Sequence, residues 1–397
     1  MSKLRNIGFV QNCQSSVALS LVFFIILTIR PFSPAQDNPA VSLGPAINSD
    51  AQEITPLISA DEKTLFFARK QHEQNIGNED LEDIWMTIDK GNQNWSKAIQ
   101  LGRPINNEDS NIPIEINALG NTLFTWNKNK KEIRICRKRG RMWQFPRVMT
   151  IEKFDSLRQH SSFQVSTNGQ YLLFSAVSPI NKSSKRDLFV CKRKDQYSWS
   201  VPINLGRDIN SDYDEQSAFL AMDGKTLYFT SKAFSSFGGF DLYVSRRLDD
   251  SWTSWSTAVN MGPQFNTSGD DLGISIPASG EWAYQSTGKD LIRIPIPKEL
   301  QPQPVTLLSG KIINALDRQP VNARIVAEDL TSGQTSRFTE SIQDGNFQIV
   351  LPYGQNLGVF AEQEGFFPIG ETIDLGLQQA EELDYDAENA LVVLDNG

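Results

Sequence analysis

One block recurs five times in this chain, and that recurrence limits the possible folds more than any other feature of the sequence. Its clearest copy begins at Gly206 with GRDINS, and the same slot holds GPAINS from Gly44, GRPINN from Gly102, IEKFDS from Ile151 and GPQFNT from Gly262. From the Asn or Asp of each opening (Asn48, Asn106, Asp155, Asn210, Asn266) it is 16 residues to an apolar, aromatic run: TLFFA, TLFTW, YLLFS, TLYFT and WAYQS. An acidic residue then opens a third run, at Asp83, Glu132, Asp187, Asp241 and Asp290, after a connection whose length varies from copy to copy. Length variation confined to one connection places the insertions on one face of a repeating structure. In four copies a Trp-led run follows, at Trp95, Trp143, Trp199 and Trp255, and leads into the next opening.

Four short runs rich in aromatic and β-branched residues, separated by turn-forming DG, NG and GG pairs, read as four antiparallel strands, one propeller blade per copy. No copy carries the 3.6-residue apolar spacing that a helical repeat requires. The fifth copy lacks its fourth run, whereas a spare AVSLG at Ala40 precedes the first. The N-terminal strand is therefore expected to complete the last blade and remove an open sheet edge, giving five blades, with six as the lesser alternative.

The blocks NSDYDEQSAFLAMDGKTLYFTS, GGFDLYVS and WSTAVNMG resemble the TolB-like propeller repeats of bacterial envelope proteins. The resemblance implies that each opening feeds the innermost strand, and it covers about two-thirds of the chain, residues 38–294. The third copy departs from it, with Asp155 for Asn and residues 157–160 in place of the acidic stretch. After a Pro-rich stretch at 295–304, expected to be an extended and stiff linker, short alternating runs in 305–375 read as a small β-sandwich. Its blocks GKIINALDRQPVNARI, DGNFQIVLPYG and AEQEGFFP resemble the carboxypeptidase regulatory-like domain, which implies a transthyretin-like sandwich. Envelope proteins with this pair of domains often continue into an OmpA-like peptidoglycan-binding domain, and no such segment follows here. The fold class is all-β.

Residues 1–35 read as a secretory leader: Lys3 and Arg5, an apolar run from Val17 to Ile29, and the small residues Ser33, Pro34 and Ala35. The run is short for a span, which favours the leader over its alternative, an uncleaved anchor. The mature chain is then expected to be exported, in the periplasm or at the periplasmic face of the outer membrane, with no transmembrane span. Residues 376–397 hold six acids and no base and read as a solvated tail. A net charge of −9 argues against nucleic-acid binding.

Three constellations bear on chemistry. The first is the residue five positions after each opening Asn or Asp: Glu53, Asn111, His160, Glu215 and Asp271, all expected at the channel mouth. Carboxylates converging there could serve glycoside hydrolysis, but a residue repeated at one position in each blade more simply bonds the backbone of its own turn. The second is a search for nucleophilic, metal or cofactor chemistry, which finds neither a GxSxG elbow nor a ligand cluster. His72 and His160 are the only histidines, and Cys136 and Cys191 are placed too far apart for a disulfide. No catalytic, metal or cofactor residue is assigned. The third is charge: Lys128 to Arg147 holds nine bases and one acid. A solvated edge that discourages strand pairing explains it; the alternative is a docking face made of Arg134, Lys138, Arg139, Arg141, Lys192 and Arg193 for an acidic or outer-membrane-associated envelope partner. Together these features predict a non-enzymatic interaction scaffold, with a carbohydrate-binding or glycoside-hydrolysing propeller as the alternative.

Overall fold

The computed structural model of the chain describes residues 27–28, 40–77, 81–179, 184–233, 237–314, 317–340, 345–364, 369–375 and 390–394. The leader (1–35) and the acidic tail (376–397) lie outside these residues apart from 27–28 and 390–394. Among the described residues there is no α-helix. The described residues form no helix long and apolar enough to cross a membrane.

Five four-strand units form a β-propeller. In blade 4 the strands Glu215–Leu220, Thr226–Ser231, Asp241–Arg246 and Val259–Asn260 pair antiparallel in sequence order, from the ring's axis outward. The inner strands of blades 1 to 3 are Gln52–Ile58, Asn111–Ile116 and Arg158–Val165. Blade 5 is built from Ile274–Ser275, Trp282–Ser286 and Leu291–Pro295, and its outer strand is Val41–Ser42 from the N-terminal side. Val41 faces Arg293 and Ser42 faces Ile292 in register, and the Leu43 N–H donates to the Leu291 carbonyl at 3.2 Å. The spare AVSLG thus closes the ring as its pattern predicts. Core side chains lie between blades: Tyr284 and Leu291 of blade 5, for example, pack with Leu65, Phe67 and Trp85 of blade 1.

The opening Asn joins one blade to the next. Asn266 accepts from the Leu242 N–H at 2.7 Å and donates to the Leu242 carbonyl at 3.1 Å, as a neighbouring strand would. Asn106 does the same to Ile84, Asn210 to Leu188 and Asn48 to Leu291. Only a carboxamide offers a donor and an acceptor side by side, which is why the position is Asn in four copies. In the third copy Asp155 cannot donate, and the segment folds instead into a 3-10 turn, Phe154–Ser156. A different junction joins blades 2 and 3: Ser198–Trp199 pairs in parallel with Thr150 and Ile151 and, with Met142–Trp143 also paired on Glu132–Arg139, extends the sheet of blade 2 to six strands.

The stretch 295–304 is not a free-standing linker. It packs on blade 4, where the Tyr228 hydroxyl donates to the Leu300 carbonyl at 2.6 Å and Asp223 accepts from the Gln303 N–H at 2.9 Å. Beyond it two sheets form a sandwich. One pairs Val305–Asn314 with Asn346–Pro352, and the strands Leu27–Thr28 and Ala390–Leu394 also lie on Val305–Asn314. The other has the order Gln334–Glu340, Arg324–Asp329, Asn356–Glu362, Ile369–Asp374. Leu308, Phe347, Ile349, Ile325 and Val359 fill the space between them. The sandwich sits beneath the ring, where Val305 and Val350 pack with Ala60 and Ala278 from the hairpins that end the inner strands.

Candidate functional site: the channel and the cleft beneath it

At the mouth, where the inner strands begin, the side chains five positions after each opening bind their own turns. Glu53 is buried; it accepts from the Ser49 N–H at 3.2 Å and hydroxyl at 2.6 Å and pairs with Arg69 at 2.8 Å. Burial lowers the Arg69 pKa, and Glu53 opposes that shift. Glu215 accepts from the Ser211 N–H at 3.1 Å and the Ser231 hydroxyl at 2.8 Å. Burial, with Asp187 of the preceding blade nearby, pushes its carboxyl up to about 7. Asp271 accepts from the Thr267 N–H and hydroxyl, and its pKa is raised by burial and by Asp241. Asn111 donates to the Asp109 carbonyl at 2.6 Å. His160 stacks on Phe154, with ring centroids 3.7 Å apart, and bonds the Phe154 carbonyl at 3.1 Å; burial lowers its pKa.

Two residues further along, each inner strand kinks. Thr55, Ser162 and Ser217 adopt φ of 53°, 54° and 52°, and Gly273 in blade 5 adopts 64°. Left-handed backbone is costly for a β-branched residue such as Thr55. The registers with the second strands shift across these positions in blades 1, 3 and 4, the signature of a bulge that re-aims the remainder of the strand. Pro113, with φ fixed negative by its ring, holds the equivalent place in blade 2.

Below the kinks Gln164 links three blades: its Oε1 accepts from the Leu220 N–H at 3.0 Å, and its Nε2 donates to Glu115 Oε2 at 3.4 Å. Glu115 also accepts from the Thr167 hydroxyl at 3.4 Å. Its burial raises its pKa well above the usual carboxylate range. Glu115 is absent from the residues singled out by sequence, although alignment of the copies holds the signal: the ninth position after the opening is Leu57, Gln164, Phe219 or Ser275 elsewhere.

Thr167 also lines a cleft of 1290 Å³ between the hairpins of blades 2 to 4 and the sandwich. Its walls carry eight amides, among them Asn117, Gln144, Gln170 and, from the sandwich, Asn322 and Gln348, and the bases Arg137, Lys138, Arg139, Arg193 and Lys194 against the single acid Asp195. The basic residues singled out from the sequence therefore divide. Lys138, Arg139 and Arg193 border this cleft, while Arg141 and Lys192 are exposed outside it. Arg134 is buried and paired with Glu132 at 2.6 Å, so it belongs to no surface. Arg193 donates to the carbonyls of Gly169, Asp195 and Gln196, closing its own hairpin. Cys136 and Cys191 are free and buried, and burial pushes both thiols up to about 12.

No family model matches the chain, and no curated protein does. Among solved structures it is similar to an alpha-L-arabinofuranosidase from Lactobacillus brevis, with 13% identity over 86% of this chain and 99% of that one and a TM-score of 0.40. A glycosyl hydrolase from Bacteroides ovatus gives 10%, 70%, 95% and 0.42, and an endo-arabinase from Bacteroides thetaiotaomicron gives 12%, 66%, 98% and 0.40. These likenesses speak for the fold. They also correct two expectations drawn from the sequence, that the protein is a scaffold without enzymatic activity and that it is not an enzyme. The structures it is similar to bear the names of sugar-directed enzymes.

Proposed function

We propose that the protein is a carbohydrate-active propeller that holds an acidic glycan in the cleft between ring and sandwich. The observation that supports this reading is the lining of the cleft, eight side-chain amides among five bases and one acid. A sugar presents hydroxyls that both donate and accept, which amides match from both sides. The excess of bases favours a chain bearing carboxylates over a neutral one. For cleavage, Glu115 is the candidate general acid: burial raises its pKa well above the usual carboxylate range, which favours the proton-bearing form, and Thr167 connects it to the cleft wall. The leader-like N-terminus and the resemblance to TolB-like envelope propellers support placing the encounter outside the cytoplasm.

The test is affinity electrophoresis of the full chain through gels containing a uronate-rich or a neutral polysaccharide, with reducing ends assayed in parallel. Retardation by the uronate-rich gel is expected, lost in Lys138→Glu with Gln144→Ala, together with sugar release that fails in Glu115→Gln. Equal mobility in both gels would refute binding in the cleft. Release that persists in Glu115→Gln would refute its role as the acid.

A further inference from the structure

Blade 2 carries an outer hairpin unlike those of its neighbours. Its Trp143 aligns with Trp95, Trp199 and Trp255, but the preceding position is Met142 where other blades have Asn94, Ser198 and Ser254. Two positions after the Trp stands Phe145, against Lys97, Val201 and Thr257. Met142 is 71% exposed and Phe145 is 84% exposed. Val148, on the following strand Arg147–Ile151, is exposed as well. Three apolar side chains exposed together on one hairpin, one of them a Phe ring almost wholly in water, mark a contact made with something else. Bases surround these side chains: Lys138, Arg141 and Arg147 are all exposed. The Lys138 ammonium lies 5.7 Å from the Trp143 ring and the Arg147 guanidinium 5.3 Å from the Tyr197 ring.

We propose that this hairpin, residues 138–148, docks the propeller on an anionic lipid bilayer. Protruding single apolar side chains fit the soft headgroup region of a membrane, whereas a protein partner is met by a continuous apolar face. The flanking bases meet lipid phosphates, and long Lys and Arg stems reach that layer while their apolar carbons stay with the acyl boundary. The protein's net charge of −9 repels an anionic surface, so only the edge where bases concentrate can approach it, and that fixes the docking orientation. Lys138 and Gln144 of the same hairpin border the cleft, but Met142 and Phe145 lie outside its lining, so the membrane contact is tested at these two residues apart from the glycan reading.

The test compares the full chain with the double variant Met142→Ser, Phe145→Ser in co-sedimentation with phosphatidylcholine vesicles, with and without phosphatidylglycerol. The chain should pellet with the phosphatidylglycerol-containing vesicles, and the double variant should bind them about tenfold more weakly. Phe145→Trp separates this contact from any made by the leader run. Relative to the parent protein it should add fluorescence that shifts to the blue on vesicle addition and is quenched by brominated lipid. Equal pelleting of parent and double variant, equal binding to vesicles without phosphatidylglycerol, or an unquenched Trp at 145 would each overturn the proposal. So would a soluble uronate polymer that strips the protein from vesicles while the Trp at 145 shows no lipid quenching, because it would assign the bases to the glycan.

Discussion

Replacing Asn266 by Asp changes one NH2 group to an oxygen and leaves the packing volume nearly unchanged, so it isolates the link between blades 4 and 5. Asn266 is 3% exposed. Its Nδ2 donates to the Leu242 carbonyl at 3.1 Å and to Asn260 Oδ1 at 2.9 Å, while its Oδ1 accepts from the Leu242 N–H at 2.7 Å. A carboxylate keeps the last of these and turns the other two into oxygen facing oxygen. The Leu242 carbonyl and Asn260 Oδ1 keep the Met261 and Gly262 N–H groups as donors at 3.0 and 2.8 Å, so the loss is two hydrogen bonds at about 1 kcal/mol each plus the burial of a carboxylate beside two oxygens, roughly 3 to 5 kcal/mol in all. For a cooperative unit the size of the ring, residues 38–294, that corresponds to a fall in melting temperature of about 6 to 9 °C. The assay is differential scanning calorimetry at pH 7. It is repeated near pH 4, where protonation returns one donor to the Asp and narrows the gap. The control is Asp155→Asn in the third copy: Asp155 is exposed on the 3-10 turn that replaces the link there, so the melting temperature should stay put. A melting temperature for Asn266→Asp within about 1 °C of the parent would refute the reasoning, as would an equal effect of Asp155→Asn.

Two further outcomes are expected of the same structure. Deleting residues 40–43 removes the outer strand of blade 5 and the burial of Leu43. The loss should be on the order of 4 kcal/mol and should open an edge that promotes self-association; an unchanged melting temperature with monodisperse light scattering would count against ring closure by this strand. For Glu215 the folded pKa of about 7 lies above the ordinary 4.5, so the native state binds the extra proton between those values and stability falls as pH rises through that window. Glu215→Gln should flatten the profile by on the order of 3 kcal/mol between pH 4.5 and 7, and an unaltered slope in urea titrations would show that the carboxyl is not buried as described.

The repeat made the ring legible, because blade count, strand order and closure all follow from aligned copies. Glu53, Glu215 and Asp271 were legible too, since a residue recurring at one position serves the copy's own turn. The role of the opening Asn was not: its partners, Leu242 for Asn266 and Ile84 for Asn106, lie in the preceding copy, and aligning copies with one another hides what passes between them. Glu115 was missed for the opposite reason, since it breaks the pattern at a single inward position. The cleft was out of reach because its walls come from blades 2 to 4 and from Asn322 and Gln348 of the sandwich, and docking of the two domains has no sequence period. Prolines at 295–304 promised a stiff connector, but Tyr228 and Asp223 hold that stretch against blade 4.

The parallel bridge between Thr150–Ile151 and Ser198–Trp199 bears on how such a ring can grow or shrink over evolutionary time. Where blades meet through an Asn and interleaved side chains, a whole copy can be duplicated or lost and the new neighbours present the same joint. Between blades 2 and 3 the Thr150 N–H donates to the Tyr197 carbonyl and the Glu152 N–H to that of Trp199. A copy inserted there would have to supply both a receiving edge and a donating strand. This junction is therefore where the array stops being modular, and gain or loss of blades is confined to the other four.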